Sequence, residues 1–566
     1  MKMNKTLLMV FALLIVSSMM LTACGGSGAL AEDPVTLNWV WTTEPPTIDP
    51  SLATDTTSVD VVGNTFVGLT KFDPISGEVA PSLATSWESG EDAEGNQTWT
   101  FTLRDDVEWV KFNAETGKVE KQDRVVTAQD VVYGVKRTVD PETASDYSYV
   151  LYILKNAASI NGGEEGMSVD DLGVEALDET TVKFTLERKA GYFPAIAGMW
   201  VANPMPQWAI EESGEAWTEP ENFVSNGPYV LENWVHGGEL NLAKNPFWIN
   251  ADDVQIERVH GVIIEEESTA FALYENGEVD TAAVPLPEMD RVKADPALSA
   301  DYYEAPTPCT YYYGFVNTKP PFDDVRVRTA FAQSIDRQSL IDNVTKGGQI
   351  PATSLAPPGI FGAPAPGTVG LNYDPAVAMA SLQEYLDAEG MTIEDFNALG
   401  VTLMHNTSEG HALIAAAIQQ MWADNLGVEV TVENQEWKVY LDTIGKDTDI
   451  DQVPHVFRLG WCADYPDENN WIHEVFNSDE GANRVRTDNA DFNALTVAAG
   501  EADDPAEREA LYEQAEQMFA EEMVAFAPIY HYTTVNVTHQ WLTRNFPPLG
   551  ANDFYNWTLD DAARGQ

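Results

Sequence analysis

The chain has 566 residues, 44% of them hydrophobic, and a formal net charge of −59 from 90 acidic and 31 basic residues. A length of this order accommodates roughly two to four domains. The excess of acid excludes a nucleic-acid partner attracted through phosphate contacts and argues against docking on anionic lipid head groups. The simplest interpretation of the charge is a solvated surface tuned for solubility.

The N-terminal region predicts export. Lys2 and Lys5 precede an apolar run over 7–16, and small residues lead to Cys24. Such a pattern indicates a secretory signal rather than a membrane span. A cut directly before cysteine is typical of a bacterial lipoprotein, so we expect a signal peptide over 1–23, a lipidated Cys24 and a flexible tether over 24–32. The alternative is an ordinary signal peptide with a cysteine there by chance.

The hydrophobic pattern predicts a mixed α/β chain. Alternation predicts strands over 35–40, 98–103 and 181–186, and helical periodicity predicts helices over 128–138, 325–345, 411–425 and 505–522. Thr127 with Asp130 three residues later is a variant of the capping box at the start of a helix. Strands interspersed with helices, without a strict βαβ rhythm, indicate mixed sheets.

Two cysteines remain once Cys24 is assigned to lipid. Cys309 and Cys462 belong to a chain predicted to be exported, and pairs of cysteines in an oxidising compartment form disulfides. We therefore predict one disulfide between them.

A single carboxylate follows an apolar, strand-like run in the segment Arg458-Leu459-Gly460-Trp461-Cys462-Ala463-Asp464. A carboxylate in such a site keeps its charge only if a cation or hydrogen-bond donors meet it. Arg458 is the nearest internal cation, and a ligand ammonium group is the alternative. A third interpretation is that Asp464 only turns the chain before Pro466.

Several short motifs follow one another along the chain in a fixed order. They are Ile48-Asp49-Pro50, Ala80-Pro81-Ser82-Leu83-Ala84, Val126-Thr127-Ala128-Gln129-Asp130-Val131, Asn226-Gly227-Pro228-Tyr229, Cys309-Thr310-Tyr311-Tyr312-Tyr313, Pro320-Pro321-Phe322-Asp323-Asp324, Asn434-Gln435-Glu436-Trp437-Lys438 and the heptad ending at Asp464. In this order and spacing the chain resembles the family 5 solute-binding proteins of peptide-type ABC importers, in particular the oligopeptide-binding lipoproteins.

The resemblance implies an α/β fold of two hinged lobes, the type II periplasmic-binding-protein fold, with an extra inserted domain. Carried onto this chain, lobe I comprises 33–66, 224–308 and 529–566, the inserted domain 67–223, and lobe II 309–528. Lobes of this kind rotate as nearly rigid bodies and bury the ligand between them.

The resemblance also implies the ligand-binding residues. Asp464 would pair with the α-ammonium group of a peptide, and main-chain groups near Thr54 and Thr56 and along Arg458, Gly460 and Cys462 would bind the peptide backbone. Tyr147, Tyr312, Trp437 and Trp461 match aromatic positions of the cleft, with ordinary core packing as the alternative for each.

The chain departs from the family pattern after Trp437. Ile444 and Gly445 stand where the family has an Arg-His pair whose arginine can hold the peptide C-terminus. Arg458 would then take that carboxylate alone, or Lys446 would help. Thr307 likewise replaces a family tyrosine.

Together these patterns predict a monomeric, exported lipoprotein at the outer face of the cell membrane or in the periplasm. It would pass short peptides to an ABC permease and ATPase complex, with no cofactor, metal or nucleic acid. No motif of an esterase, phosphate-binding or zinc-protease site occurs in the sequence, so an enzyme is not expected. The alternatives are another solute on the same fold (an oligosaccharide, haem or a nickel complex) and a receptor without transport.

Overall fold

The computed structural model describes residues 34–547, 549 and 552–564. The predicted signal peptide over 1–23, the tether over 24–32 and the lipidation site Cys24 lie outside the described residues. No helix in the described ranges is long and apolar enough to cross a membrane.

The strands are, in chain order, β1 (Thr36–Trp41), β2 (Thr70–Phe72), β3 (Val79–Pro81), β4 (Ala84–Glu91), β5 (Gln97–Leu103), β6 (Glu108–Asn113), β7 (Lys118–Val125), β8 (Val174–Asp178), β9 (Thr181–Thr185), β10 (Tyr229–Val235), β11 (Glu239–Lys244), β12 (Arg258–Ile263), β13 (Thr281–Ala283), β14 (Tyr302–Phe315), β15 (Ile350–Pro351), β16 (Thr402–Asn406), β17 (Thr431–Gln435), β18 (Val456–Cys462), β19 (Phe526–Thr538), β20 (Leu542–Thr543) and β21 (Thr558–Leu559).

The longer helices are α1 (Thr56–Thr65), α2 (Ala128–Val139), α3 (Gln207–Ser213), α4 (Glu267–Glu275), α5 (Val325–Gln333), α6 (Pro375–Glu389), α7 (Glu409–Leu426), α8 (Trp437–Thr443), α9 (Ala490–Glu501) and α10 (Pro505–Gln517). Short α-helical segments occur at Ala157–Asn161, Phe193–Ile196, Met289–Ala294, Leu298–Asp301, Arg337–Leu340, Ile393–Asn397, Glu474–Phe476 and Asp561–Arg564.

Local capping signals decide where two predicted helices begin and end. The start of α2 is confirmed: the Asp130 carboxylate accepts hydrogen bonds from the Thr127 backbone N–H at 2.8 Å and from its hydroxyl at 3.0 Å. The prediction of one helix over 325–345 is wrong, because α5 ends at Gln333 and a new segment begins at Arg337. Asp336 caps that segment by accepting from the Ser339 N–H at 2.9 Å.

Three sheets of four or more strands form most of the architecture of the described residues, beside three two-stranded sheets. The first has the strand order β1-β12-β11-β10, the second β13-β19-β14-β18-β16-β17, and the third β4-β5-β9-β8. β1 runs parallel to β12, which joins the start of the described chain to a strand more than two hundred residues later. The third sheet lies entirely within the predicted inserted domain.

Two long strands connect the first part of the molecule to the second. β14 and β19 pair with each other near β13 at one end, and β14 pairs with β18 at the other. The register of the β14–β19 pair shifts between Pro306 and Thr310, where the two strands pass from one part of the molecule to the other. One apolar core, which includes Phe271 and Tyr274, lies at the first end, and a larger one around Phe331 and Trp422 lies at the second. The predicted boundaries of the lobes stay a prediction.

A disulfide joins β14 to β18. Cys309 and Cys462 lie directly opposite each other in the register of the two strands, and their sulfur atoms are bonded. The crosslink therefore fixes β18 to a strand that runs between the two cores.

Helix ends also meet across the molecule, away from the connecting strands. The Ser408 hydroxyl, at the N-terminus of α7, donates to the Glu267 carboxylate of α4 at 2.9 Å. In return, the backbone N–H and hydroxyl of Ser268 both donate to the Glu409 carboxylate of α7 at 2.9 Å. Each helix thus supplies a carboxylate to the positive N-terminal end of the other, which holds the two parts together on this side.

Candidate ligand-binding cavity

A cavity of about 1010 Å³ lies between the parts of the chain joined by β14 and β19. Its wall combines the segment around Thr54, Tyr147 of the predicted inserted domain, Trp437 at the start of α8, and the end of β18. Residues far apart in the sequence thus enclose one space, which is the usual setting of a small-ligand site.

Asp464 presents a half-buried carboxylate to this cavity. Its Oδ2 accepts hydrogen bonds from the Asn470 amide at 2.9 Å and from the Tyr147 hydroxyl at 3.3 Å. No cationic side chain of the described chain lies within 4.0 Å of it. Burial raises the pKa of the Asp464 carboxyl to about 7, and the two hydrogen bonds oppose that shift. The carboxylate therefore has no counter-charge beside it among the described residues.

Asn470 positions that carboxylate. Its amide oxygen accepts from the backbone N–H of Asp464 at 2.9 Å, and its amide nitrogen also donates to Glu474 at 2.7 Å. Glu474 is buried and accepts from the Tyr465 hydroxyl at 2.6 Å. Burial raises the pKa of Glu474 to about 8. Burial thus raises the pKa of both carboxyls that share the Asn470 amide.

Arg458 is not the internal partner of Asp464. Its terminal nitrogens donate to the Asn406 side chain at 3.1 Å and to the Tyr532 hydroxyl. Its guanidinium also lies 4.6 Å from the centre of the Tyr311 ring. No carboxylate of the described residues lies within 4.0 Å of it. Asp464 and Arg458 thus border the same cavity, each without an oppositely charged side chain of the described residues within 4.0 Å.

Aromatic rings form the wall beside Asp464. The Tyr147 ring stacks on that of Trp461 with centroids 6.2 Å apart and also contacts Trp200 at 5.5 Å. Trp437 lines the cavity and stacks on Tyr440 at 6.1 Å. Tyr147 and Trp461 come from different parts of the chain, so their contact closes the cavity on this side.

The structure corrects the prediction for Tyr312. This residue is 1% exposed and its ring packs against Phe457, Phe476 and Phe526 at centroid distances of 5.9–6.5 Å. It does not border the cavity. β14 lies between β18 and β19, and Tyr311 and Tyr312, on its opposite faces, are both buried, so both faces are core at this point.

The end of β18 offers an unpaired strand edge. β16 pairs with β18 only at Val456 and Phe457, whereas β14 pairs with it along its whole length. From Arg458 to Cys462 no strand of the described chain occupies the β16 side. This stretch, including Gly460, borders the cavity. An extended ligand could add there as a further strand through main-chain hydrogen bonds.

The opposite wall starts at the N-terminus of α1. Thr54 and Thr56 border the cavity, and Asp55 between them accepts hydrogen bonds from the backbone N–H groups of Thr57 at 3.0 Å and Ser58 at 3.1 Å. The cap fixes the conformation of the segment, so the main-chain groups of both threonines are held beside the cavity.

The structure locates the residues at which this chain departs from the family pattern. Ile444 is fully buried, and Gly445 and the exposed Lys446 do not border the cavity. Thr307 borders it and shares a hydrogen bond of 2.6 Å with the Thr534 hydroxyl. The suggestion that Lys446 helps to bind a ligand carboxylate therefore has no support in the geometry.

Two residues at or beside the cavity were not predicted from the sequence. Asn470 lies six residues beyond Asp464, after a turn. Because Asn side chains often form hydrogen bonds across such turns, the sequence could have predicted this contact. Arg484 borders the cavity beside Leu441, and no motif marked it. Within the described ranges there is no cluster of His, Cys, Asp and Glu that could hold a metal ion.

Comparisons with known proteins agree with this architecture. Residues 78–483 match the model of the bacterial extracellular solute-binding proteins, family 5. The oligopeptide-binding protein OppA of Bacillus subtilis is 33% identical over 93% of this chain and 94% of its own length. The structure of the murein tripeptide-binding protein MppA of Escherichia coli has a TM-score of 0.82, 30% identity, and covers 94% of this chain and 99% of that one.

Two of the solved structures represent different conformations, a peptide complex and an open form, and both were compared with this structure. Haemophilus influenzae OppA in complex with the peptide RPPGFSPFR has a TM-score of 0.81 at 27% identity, covering 93% of this chain and 99% of that one. The unliganded open form of MppA reaches only 0.61, although its sequence is the same 30% identical to this chain. The prediction of a two-lobed, hinged α/β fold is confirmed, and this structure superposes better on the peptide complex than on the open form.

Proposed function

Because the chain belongs to the bacterial extracellular solute-binding proteins, family 5, we propose that it captures short peptides in this cavity and delivers them to an ABC permease with its ATPase. The observation that carries the proposal is the Asp464 carboxylate, which borders the cavity without any cationic side chain of the described residues beside it. The α-ammonium group of a peptide would supply that charge.

The charges of the cavity favour a zwitterion over a neutral sugar. A half-buried carboxylate and a buried guanidinium that do not pair with each other are both costly without a partner. A peptide carries an ammonium group and a carboxylate on one backbone, so one ligand would compensate both. An oligosaccharide would use the aromatic wall but would leave the two charges uncompensated.

The free edge of β18 suits the part that all peptides share. Main-chain hydrogen bonds to the stretch from Arg458 to Cys462 would not depend on the ligand's side chains. Affinity would then come from the ends and the backbone, while the remaining volume would admit different side chains with water. Thr54 and Thr56 would bind the same backbone from the opposite wall.

The proposal also includes the location, oligomeric state and domain organisation of the protein. It would be exported, cut before Cys24 and held at the membrane through lipid on that cysteine. It would act as a monomer, with lobe I at 33–66, 224–308 and 529–566, an inserted domain at 67–223 and lobe II at 309–528. It would release its ligand chemically unchanged, without a catalytic step.

Native mass spectrometry tests the proposal on a form that begins after Cys24 and is purified without removal of ligand. A ladder of masses matching short peptides supports it and gives their length range. A single sugar, haem or a metal complex would contradict it. Titration calorimetry then compares one peptide with a free and with an N-acetylated amine, and equal affinities would show that Asp464 is not the ammonium site.

A further inference from the structure

We infer that Arg484 binds a carboxylate of the ligand and replaces the arginine that the family pattern places at Ile444. The inference rests on the proposed peptide function and deepens it. It assigns a second charged end to the cavity, with Asp464 taking the ammonium group. The carboxylate is either the peptide C-terminus or an acidic side chain, which share the same chemistry.

Arg484 has the open hydrogen-bonding capacity that such a site needs. It is half-buried, borders the cavity, and donates from Nη1 to the backbone oxygen of Leu441 at 2.8 Å. Its Nε and Nη2 have no acceptor in the described chain, and neither is sealed from solvent. No described carboxylate lies within 4.0 Å of the guanidinium. The planar fork of an arginine binds a carboxylate through two parallel hydrogen bonds.

Arg458 is less available for this role than Arg484, although it also borders the cavity. It is 7% exposed, and both terminal nitrogens already donate, to Asn406 and to Tyr532. Its Nε is buried without a partner, and one face of the guanidinium lies over the Tyr311 ring. Fewer of its N–H groups remain for a ligand carboxylate than at Arg484, and the group is more deeply buried. Arg458 therefore contributes positive potential, and Arg484 contributes the binding geometry.

Arg486, two residues further on, has a structural role. Its Nη2 donates to the backbone oxygens of Gly445 at 2.9 Å and Thr448 at 2.6 Å, and it does not border the cavity. It thus holds the loop that stands where the family has its Arg-His pair. The two neighbouring arginines give a natural test, because only Arg484 has a side chain directed to the ligand space.

The backbone around Arg484 is fixed before any ligand arrives. Ala482 and Asn483 donate their N–H groups to the backbone oxygens of Glu474 at 2.8 Å and Val475 at 2.9 Å. The Asn483 side chain donates to the Thr487 backbone oxygen at 2.8 Å and accepts from its N–H at 3.0 Å. Asn483 also has a φ of 40°, a left-handed conformation that these contacts maintain. A preorganised arginine loses little freedom when it binds.

Titration calorimetry with a series from di- to pentaalanine tests the inference. Each peptide is used with a free C-terminus, with a C-terminal amide, and as an amide in which a glutamate replaces the last alanine. For the length that fits best, we expect amidation to weaken binding to the wild type by about tenfold or more, and we expect Arg484→Gln to abolish this difference. Restoration of affinity by glutamate in the wild type alone would identify a side-chain carboxylate.

Two further variants separate the outcomes. Arg484→Lys keeps the charge without the fork and should show an intermediate effect of amidation, whereas Arg486→Gln should retain the full wild-type effect. A folded Arg484→Gln or Arg484→Lys protein that retains the full effect would overturn the inference. The preference for free over acetylated amines, which reports on Asp464, should persist in Arg484→Gln. If no peptide binds to the wild type, the proposed function fails and this inference with it.

Discussion

Asp464 and Asp467 lie in the same segment after β18, but only Asp467 has a guanidinium beside it. Both nitrogens of the Arg508 fork donate to the Asp467 carboxylate at 2.8 Å, and Asp467 does not border the cavity. Asp464 borders the cavity, and its side-chain partners among the described residues are Asn470 and Tyr147. The difference separates a carboxylate that stabilises the fold from one whose counter-charge has to come from a ligand.

Arg508 ties Asp467 into a packed environment. Its guanidinium lies 5.0 Å from the ring centres of both Tyr192 and Phe361 and 5.3 Å from that of Tyr512. These rings come from three distant parts of the chain. The guanidinium thus joins Tyr192, the segment after β18 and α10. Asp464, in contrast, has no arginine of the described residues beside it and borders the cavity.

The largest expected effect is on stability, in Asp467→Asn. Removal of one member of a buried, bidentate ion pair leaves Arg508 uncompensated and should lower the free energy of unfolding by about 3–5 kcal/mol. Urea unfolding followed by tryptophan fluorescence measures it, with Asp464→Asn as the matched control. A loss in Asp467→Asn no larger than in Asp464→Asn would break the distinction between the two carboxylates.

The next effect is on binding, in Asp464→Asn. The change keeps the shape of the side chain but removes the charge that pairs with the ammonium group. We expect the affinity for free-amine peptides to fall by about 2–5 kcal/mol, with no loss of stability. Calorimetry checks the affinity, and the acetylated peptide, which cannot form the ion pair, is the control. An unchanged affinity for the free-amine peptide would remove Asp464 from the site.

The sequence was sufficient for features with a local signal. The apolar run predicted β18 and placed Asp464 just after it, where the structure has it. It was insufficient for Arg458, whose partners Asn406 and Tyr532 lie 52 and 74 residues away. It was also insufficient for Tyr312, since residue alternation cannot distinguish core from cleft when both faces of a strand are buried.

Arg484 shows a different limit. Nothing in the residues around it distinguishes it from Arg486, because the two side chains have the same chemistry and lie two positions apart. Only the fold directs one toward Leu441 at the cavity and the other toward Gly445 and Thr448. A residue's role at a ligand site depends on where tertiary contacts place its side chain, and sequence spacing alone does not contain that information.

The pH dependence of binding sharpens the comparison further. In the empty protein the pKa of Asp464 is raised to about 7 by burial, and only the ionised form pairs with an ammonium group. Affinity should therefore fall by up to about tenfold per pH unit below pH 7. Glu474, which shares Asn470 with Asp464, has a pKa raised to about 8 and stays protonated over this range. The same slope in Asp464→Asn would assign the titration to another group.

The smallest expected effect is the pH dependence of stability without ligand. Because the pKa of Asp464 rises from 3.8 to about 7 on folding, the folded state holds this proton more tightly, and its ionisation costs stability as the pH rises between these values. Asp464→Asn has no such cost. The free energy of unfolding of Asp464→Asn, relative to that of the wild type, should rise by about 1–2 kcal/mol from pH 4 to 7. The effect is no larger because the half-buried carboxyl keeps part of its hydration. Urea unfolding at both pH values measures the change. If the difference in stability between the variant and the wild type does not change with pH, Asp464 already has a counter-charge within the protein. The proposed pairing of Asp464 with a ligand ammonium group would then lose its support.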